Sequence, residues 1–340
     1  MSGGLSGVLR NRHVAGLAGA LLAASLFTVA HADPVRFPVK SRVIEHFKVG
    51  SEETRFGGVE FVGGLELTAS TIDLGAMSSI RLAADRSSFI GVMDTGQWYA
   101  GRIERDADGR PAGIADFSIS TMYSRDGDVH KAKWQMDAEG LAIQGDRLLV
   151  SFERDHRIDV YDARSPGESL PIGSIPILIP KRELRDNRGL ETVVVAPAGS
   201  PLDGAAVTVS ERSLNRDGNV FAAILDGPKK GIFYVKRTPP FDITDGDFLP
   251  DGDLVLLERR FSIAGGLGMR IRRLPGESIK PGATVEGEVL LDADFGYQID
   301  NMEGLAVSTD ADGVSYLTLI SDDNHSILQR NLLLEFKLVE

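Results

Sequence analysis

The chain has 340 residues, 42% hydrophobic and 25% charged, enough apolar material for a large core and too much for a disordered chain. Its 49 acidic residues outnumber 37 basic ones for a net charge of -12, which leaves no cation surplus for a row of phosphates and excludes an electrostatic nucleic-acid binder. Cysteine is absent, so disulfides, thiolate metal sites and Cys nucleophiles are excluded, while 38 glycines and 15 prolines speak against a mainly helical chain.

In chain order, residues 1–32 read as a secretory signal peptide. Arg10, Arg12 and His13 form a basic start, Val14–Ala30 is apolar, and Ala30-His31-Ala32 is a small–x–small cleavage site before Asp33. The alternative is a retained membrane anchor. No later apolar run approaches a membrane span, so residues 33–340 are expected to be a soluble, acidic periplasmic or secreted domain.

The remaining chain reads as short strands between Gly, Asp and Pro clusters. Gly57–Leu67 is strand-like, and Met77–Leu82 is followed by a second strand ending Gly91-Val-Met-Asp94. Trp98 and Tyr99 at a strand end suit packing between layers better than ligand stacking. Asp106-Ala-Asp108-Gly109 resembles the start of a calcium loop but lacks its distal Glu, as does Asp310-Ala-Asp312-Gly313, so both read as hairpin turns. Asp137-Ala-Glu139-Gly-Leu-Ala142 leads into a strand ending Glu153-Arg154. Ile175–Arg185 reads as a loop, then Arg188-Gly-Leu-Glu191 leads into a strand ending Glu211-Arg212. Asp245-Gly-Asp247 precedes Leu254-Val-Leu-Leu-Glu258-Arg259, and Arg259–Gly268 reads as a loop. Asn301-Met-Glu303-Gly-Leu-Ala306 precedes Ile320-Ser-Asp322-Asp323. The strand Asn331–Leu338 has no hairpin partner of its own.

These segments are one repeat written five times. Ser78, Glu139, Glu191, Asp245 and Glu303 mark it at intervals of roughly 50–60 residues, a period that suits four-stranded propeller blades. The sequence therefore predicts an all-β propeller of five visible repeats, with a sixth blade from residues 35–77 left open. Pairing of Gly57–Leu67 with Asn331–Leu338 is expected to close the ring and remove an exposed sheet edge. Turn positions place Glu139 opposite Glu153 and Glu191 opposite Glu211, two acids side by side at the open end of a hairpin. Like charges so placed repel and call for compensation.

The series Asn187-Arg-Gly-Leu-Glu191, Leu256-Leu-Glu-Arg259 with Phe261-Ser262, Asp300-Asn-Met-Glu-Gly-Leu-Ala306 and Ser321-Asp-Asp-Asn324 with Gln329-Arg330 resembles the family called "esterase-like activity of phytase", from about Arg55 to Leu338. That resemblance implies an exported propeller with phytase or esterase activity.

The residues themselves carry no Gly-x-Ser-x-Gly elbow, His-Glu-x-x-His or Arg-His-Gly motif. Only His46, His130, His156 and His325 remain beyond the signal segment. What stands out is carboxylate: Asp94, Glu139, Glu153, Glu191, Glu211, Glu258, Glu303, Asp322 and Asp323. Acids without His or Cys select a hard cation, Ca²⁺ or another divalent ion, and Glu139, Glu153, Glu191, Glu211, Glu258, Glu303 and Asp322 are the candidate ligands. Arg154, Arg212 and Arg259 are candidates to orient substrate. Glu303, Asp322 and His325 are candidates for acid–base work. A purely structural role, tying blades together, stays open for the same acids.

The leading functional reading is divalent-cation-dependent hydrolysis of a small phosphoester or carboxyl ester. The alternatives are a lactonase-like hydrolase and a non-catalytic ligand- or partner-binding propeller. The negative charge repels a highly anionic substrate such as phytate at long range and favours less charged esters.

Overall fold

The sequence Leu254-Val-Leu-Leu257 is not an alternating strand: all four side chains are buried. In the computed structural model, which describes residues 1, 33–128, 132–186, 188–262 and 265–339, the reason is visible. Leu254 and Leu256 pack into one hydrophobic cluster and Val255 and Leu257 into the next, because each sheet is covered on both faces by its neighbours. Five such clusters alternate with five antiparallel sheets. The protein is a five-bladed β-propeller. The proposed signal segment lies outside the described residues. Among those described, no helix is long and apolar enough to cross a membrane.

The inner strands of the first to fifth blades are Met77–Leu82, Ala138–Gln144, Leu190–Val195, Asp242–Phe248 and Met302–Thr309. Three further strands complete each blade outward. In the fifth, Ser315–Ser321 and Asn331–Leu338 are followed by Val59–Thr68 from the front of the chain. The closing register runs from Asn331 opposite Leu67 to Leu338 opposite Val59, the expected pairing. The described residues before Met77 build no sixth blade. Val35–Arg36 edges the first blade and Lys40–Ile44 edges the fifth.

This closure is reinforced by Glu335, buried on the C-terminal strand and paired with Arg105 at 2.7 Å and Arg86 at 3.2 Å from the first blade. Trp98 and Tyr99 are core residues, Trp98 edge-on to Tyr161 of the second blade. Both Asp-x-Asp-Gly segments are turns in which the first Asp accepts backbone N–H bonds. One expectation needs correction. Arg259–Gly268 is no simple loop, since Leu254–Ser262 and Gly266–Leu274 pair as far as Ser262 opposite Gly266. Backbone pairing extends this hairpin beyond the core, where charged side chains hide the apolar pattern.

Candidate active site

The recurring Glu-Gly-Leu-Ala segment has a structural explanation at the top of each inner strand. Every inner strand carries a β-bulge against its second strand, and the extra residue is Ser78, Glu139, Glu191, Thr244 or Glu303. A bulge bends the strand and re-aims a side chain, here toward the mouth of the central channel. The following glycine lets neighbouring inner strands approach. A Cβ on Gly140 would lie 2.5 Å from the Glu191 carbonyl oxygen, and one on Gly304 would lie 3.1 Å from Ser79 Cα.

A second ring comes from the ends of the second strands: Asp94, Glu153, Glu211, Arg259 and Asp322. Their backbone positions are equivalent. The N–H groups of Asp94, Glu153, Glu211 and Asp322 bond the residues just before each inner strand, and Arg259 pairs with Asp242. Nine of these ten side chains, all but Thr244, line a mouth cavity of about 340 Å³, joined by Arg188 and Asn324.

The bulge changes three expectations. The registers run one residue short of those needed to place Glu139 opposite Glu153 and Glu191 opposite Glu211, so each acid pair is staggered rather than face to face. In the fourth blade the ring positions fall to Thr244 and Arg259, not Asp245 and Glu258. Glu258 faces away from the cavity and pairs with Arg272 at 2.5 Å, both fully buried. Asp245 lies below the mouth, where Arg81 binds it at 3.1 Å. Arg81 also donates to the carbonyls of Ile80, Val193, Gly246 and Leu305, and so joins the inner strands of four blades across the channel.

His325 also departs from its expected place. It lines a groove outside the mouth cavity with Ile72, Leu74 and Ile327. Arg154 stays at the rim, held by Asp137 at 2.8 Å. Arg212 lines an adjoining cavity and approaches Asp242 at 3.4 Å. Arg259 alone of the three arginines enters the mouth cavity, 3.3 Å from Glu303. Two cations were missed: Arg188, which lines both cavities, and Lys133, which pairs with Asp94 at 2.6 Å. Arg188 is legible as the basic head of the third repeat, whereas nothing marks Lys133.

Some of the expected structural role is visible. Glu153 accepts the N–H of Gly189 at 2.5 Å and Asp322 that of Ala76 at 2.7 Å, each the entry to the next blade. The remaining crowding is only partly offset by the neighbouring arginines. Burial, followed by the charge of Glu153, pushes Glu139 well above the ordinary carboxyl range, and Glu191 is raised in the same way. Burial pushes Glu211 and Glu303 up to about 7 against the pull of Arg259. It pushes Asp322 up to about 6. Carboxylates that share one desolvated cavity cannot all ionise cheaply without a counter-cation.

Donor atoms of Asp137, Glu139 and Glu153 lie within 4.8 Å of one another, and so do those of Glu153, Glu191 and Glu211. Two oxygen-only trios sharing Glu153 fit a hard divalent ion such as Ca²⁺ and suit softer metals poorly.

The profile of the family described as Phytase-like, esterase-like activity of phytase, matches residues 72–325. The chain belongs to this family. The match covers the first blade's inner strand through the carboxylates of the fifth, so both rings of this phytase-like propeller fall inside it. A search of curated proteins finds no match. Among solved structures, U3-55K is similar over 78% of this chain and 96% of its own at 11% identity, with a TM-score of 0.40. A chain of the mitotic checkpoint complex is similar over 98% of this chain and 100% of its own, at 13% identity and a TM-score of 0.38. The WD40 domain of Toxoplasma gondii coronin is similar over 90% of this chain and 87% of its own, at 7% identity and a TM-score of 0.33. Scores this low carry no argument about function.

Proposed function

We propose that this protein is an exported, divalent-cation-dependent hydrolase of a small phosphoester or carboxyl ester, acting at the mouth cavity. The observation that carries the reading is the pair of rings in which seven carboxylates surround one arginine. Asp137, Glu139, Glu153, Glu191 and Glu211 would hold the cation. Once bound, it supplies Lewis-acid polarisation of a substrate oxygen and a more acidic water. Across the cavity from Glu153 in ring order, Glu303, pushed up to about 7, would retain a share of its proton near neutral pH and donate it to a leaving group. Asp322, at about 6, would be mostly ionised there and act as its base partner. Arg259, fixed by Glu303 and by Asn301 at 2.5 Å, orients an anionic substrate oxygen. His325 has no part in this scheme.

The test is hydrolysis of p-nitrophenyl phosphate and p-nitrophenyl acetate by the mature protein. Turnover of one substrate should vanish in chelator and return with Ca²⁺ or another divalent ion, and Glu153→Gln should weaken cation binding by about tenfold or more. If no cation binds by calorimetry and chelation changes nothing, the hydrolase reading fails. The rival, a non-catalytic ligand-binding propeller, draws on the backbone ties of Glu153 and Asp322 and requires cation binding without turnover. Export is checked separately: the periplasmic protein should begin at Asp33.

A further inference from the structure

Beside the acidic mouth lies a cavity of opposite character. It has a volume of about 440 Å³ and sits where the third and fourth blades meet. Arg188, Arg212, Arg237, Arg259 and Arg260 line it against two carboxylates, Glu211 and Asp242. Even with both acids ionised, the lining keeps an excess of positive charge in a protein whose net charge is -12.

Asp242 does not consume that excess. It binds Arg237 at 2.7 Å, Arg188 at 3.0 Å and Arg212 at 3.4 Å, and so serves as a hub that gathers three guanidinium groups. Three arginines on one carboxylate leave most of their N–H donors unused. The Nε atoms of Arg212 and Arg259 are buried and have no acceptor. Buried donors of charged groups are costly to leave unsatisfied, which points to an acceptor brought by a ligand. Pro239, Pro240 and Phe261 complete the lining with apolar surface.

We propose that this cavity is a phosphate-binding subsite that receives a second anionic group of the substrate while the scissile bond lies at the acidic mouth. Arg188, Arg259 and Glu211 line both cavities, so one molecule can occupy the two at once. A dianionic tetrahedral group fits several guanidinium forks at once and answers the charge excess better than a single carboxylate. The words "substrate" and "scissile bond" rest on the hydrolase reading above; anion binding does not.

The experiment is calorimetric titration of the mature protein with inorganic phosphate in the presence of chelator, with succinate as a parallel arm. Phosphate should bind with the cation removed, and more tightly than succinate. Arg212→Gln and Arg188→Gln should each weaken it by about tenfold. Arg164→Gln, at a surface residue paired with Asp162 away from this cavity, should leave it unchanged. Melting curves identify any variant that fails to fold, and two independent variants keep the test decisive. Absence of phosphate binding in chelator, tighter succinate binding, or wild-type affinity in both folded variants would overturn the subsite. A failed hydrolase reading looks different: phosphate binds and responds to Arg212→Gln, but no ester is cleaved. With turnover present, Arg212→Gln should raise KM for a substrate bearing a second phosphate and not for p-nitrophenyl acetate.

Discussion

Two clusters of buried charge lie along the propeller channel, and they are built on opposite principles. The lower one is satisfied. Asp245 receives Arg81, the Ser79 hydroxyl at 2.8 Å and the Leu305 N–H at 3.0 Å, while Asp247 receives the Val307 N–H at 2.9 Å. The upper one gathers seven carboxylates around Arg259, and its members raise one another's pKa values. Both are desolvated, so burial alone does not separate them. The difference is partnership: a charge with a complete set of partners holds strands together, and one without is left to bind something.

Removing a partner from the lower cluster should have the largest effect. Arg81→Met leaves Asp245 buried without its cation and four inner-strand carbonyls without a donor, and should cost about 3–5 kcal/mol, read as a fall in Tm. An unchanged Tm would mean that Arg81 does not join the blades.

Changing pH separates the clusters less drastically. Glu211 and Glu303 hold protons up to about 7 in the folded state, and Asp322 up to about 6. Unfolding returns them to ordinary carboxyl values, so between roughly pH 4 and pH 8 the folded chain binds more protons than the unfolded one. Their contribution to stability is therefore complete at low pH and is lost as pH rises through about 6 to 7. The cation-free protein should lose on the order of 1–3 kcal/mol over that window. Added Ca²⁺ should reverse the trend, because the cation binds the ionised form. Melting at pH 5 and pH 8, with chelator and with Ca²⁺, checks the sign. Equal cation-free stability at both values would remove the argument from crowding.

The smallest effect belongs to one side chain of the upper cluster. Glu303→Gln should stabilise the cation-free protein at pH 8 by about 1 kcal/mol and change little at pH 5, where Glu303 is already protonated. A loss of stability at pH 8 would instead identify the Glu303–Arg259 contact as a structural ion pair.

Much of this was legible before the fold. The five repeats, the joining of Gly57–Leu67 to Asn331–Leu338 and the convergence of Glu139, Glu191, Glu303 and Asp322 all follow from a recurring pattern and the need to bury sheet edges. The fourth repeat misled because its acids, Asp245 and Glu258, stand one residue away from the ring positions. A single-residue offset along a strand reverses the face, and only the bulge register reveals it. His325 misled for a similar reason: proximity to Asp322 along the chain says nothing of direction in a loop.

The amino-acid sequence by itself determined the closed all-β ring, its repeat and the oxygen-rich chemistry of its mouth, because these depend on residue type and period. Tertiary structure alone decided that Arg81 joins four inner strands, that Glu258 pairs with Arg272 within its blade, and that Arg188, Arg212 and Arg237 meet around Asp242. Those arginines stand 24 and 25 residues apart, an interval that matches neither a strand nor the blade repeat, and only the approach of the third and fourth blades brings their charges within a few ångströms.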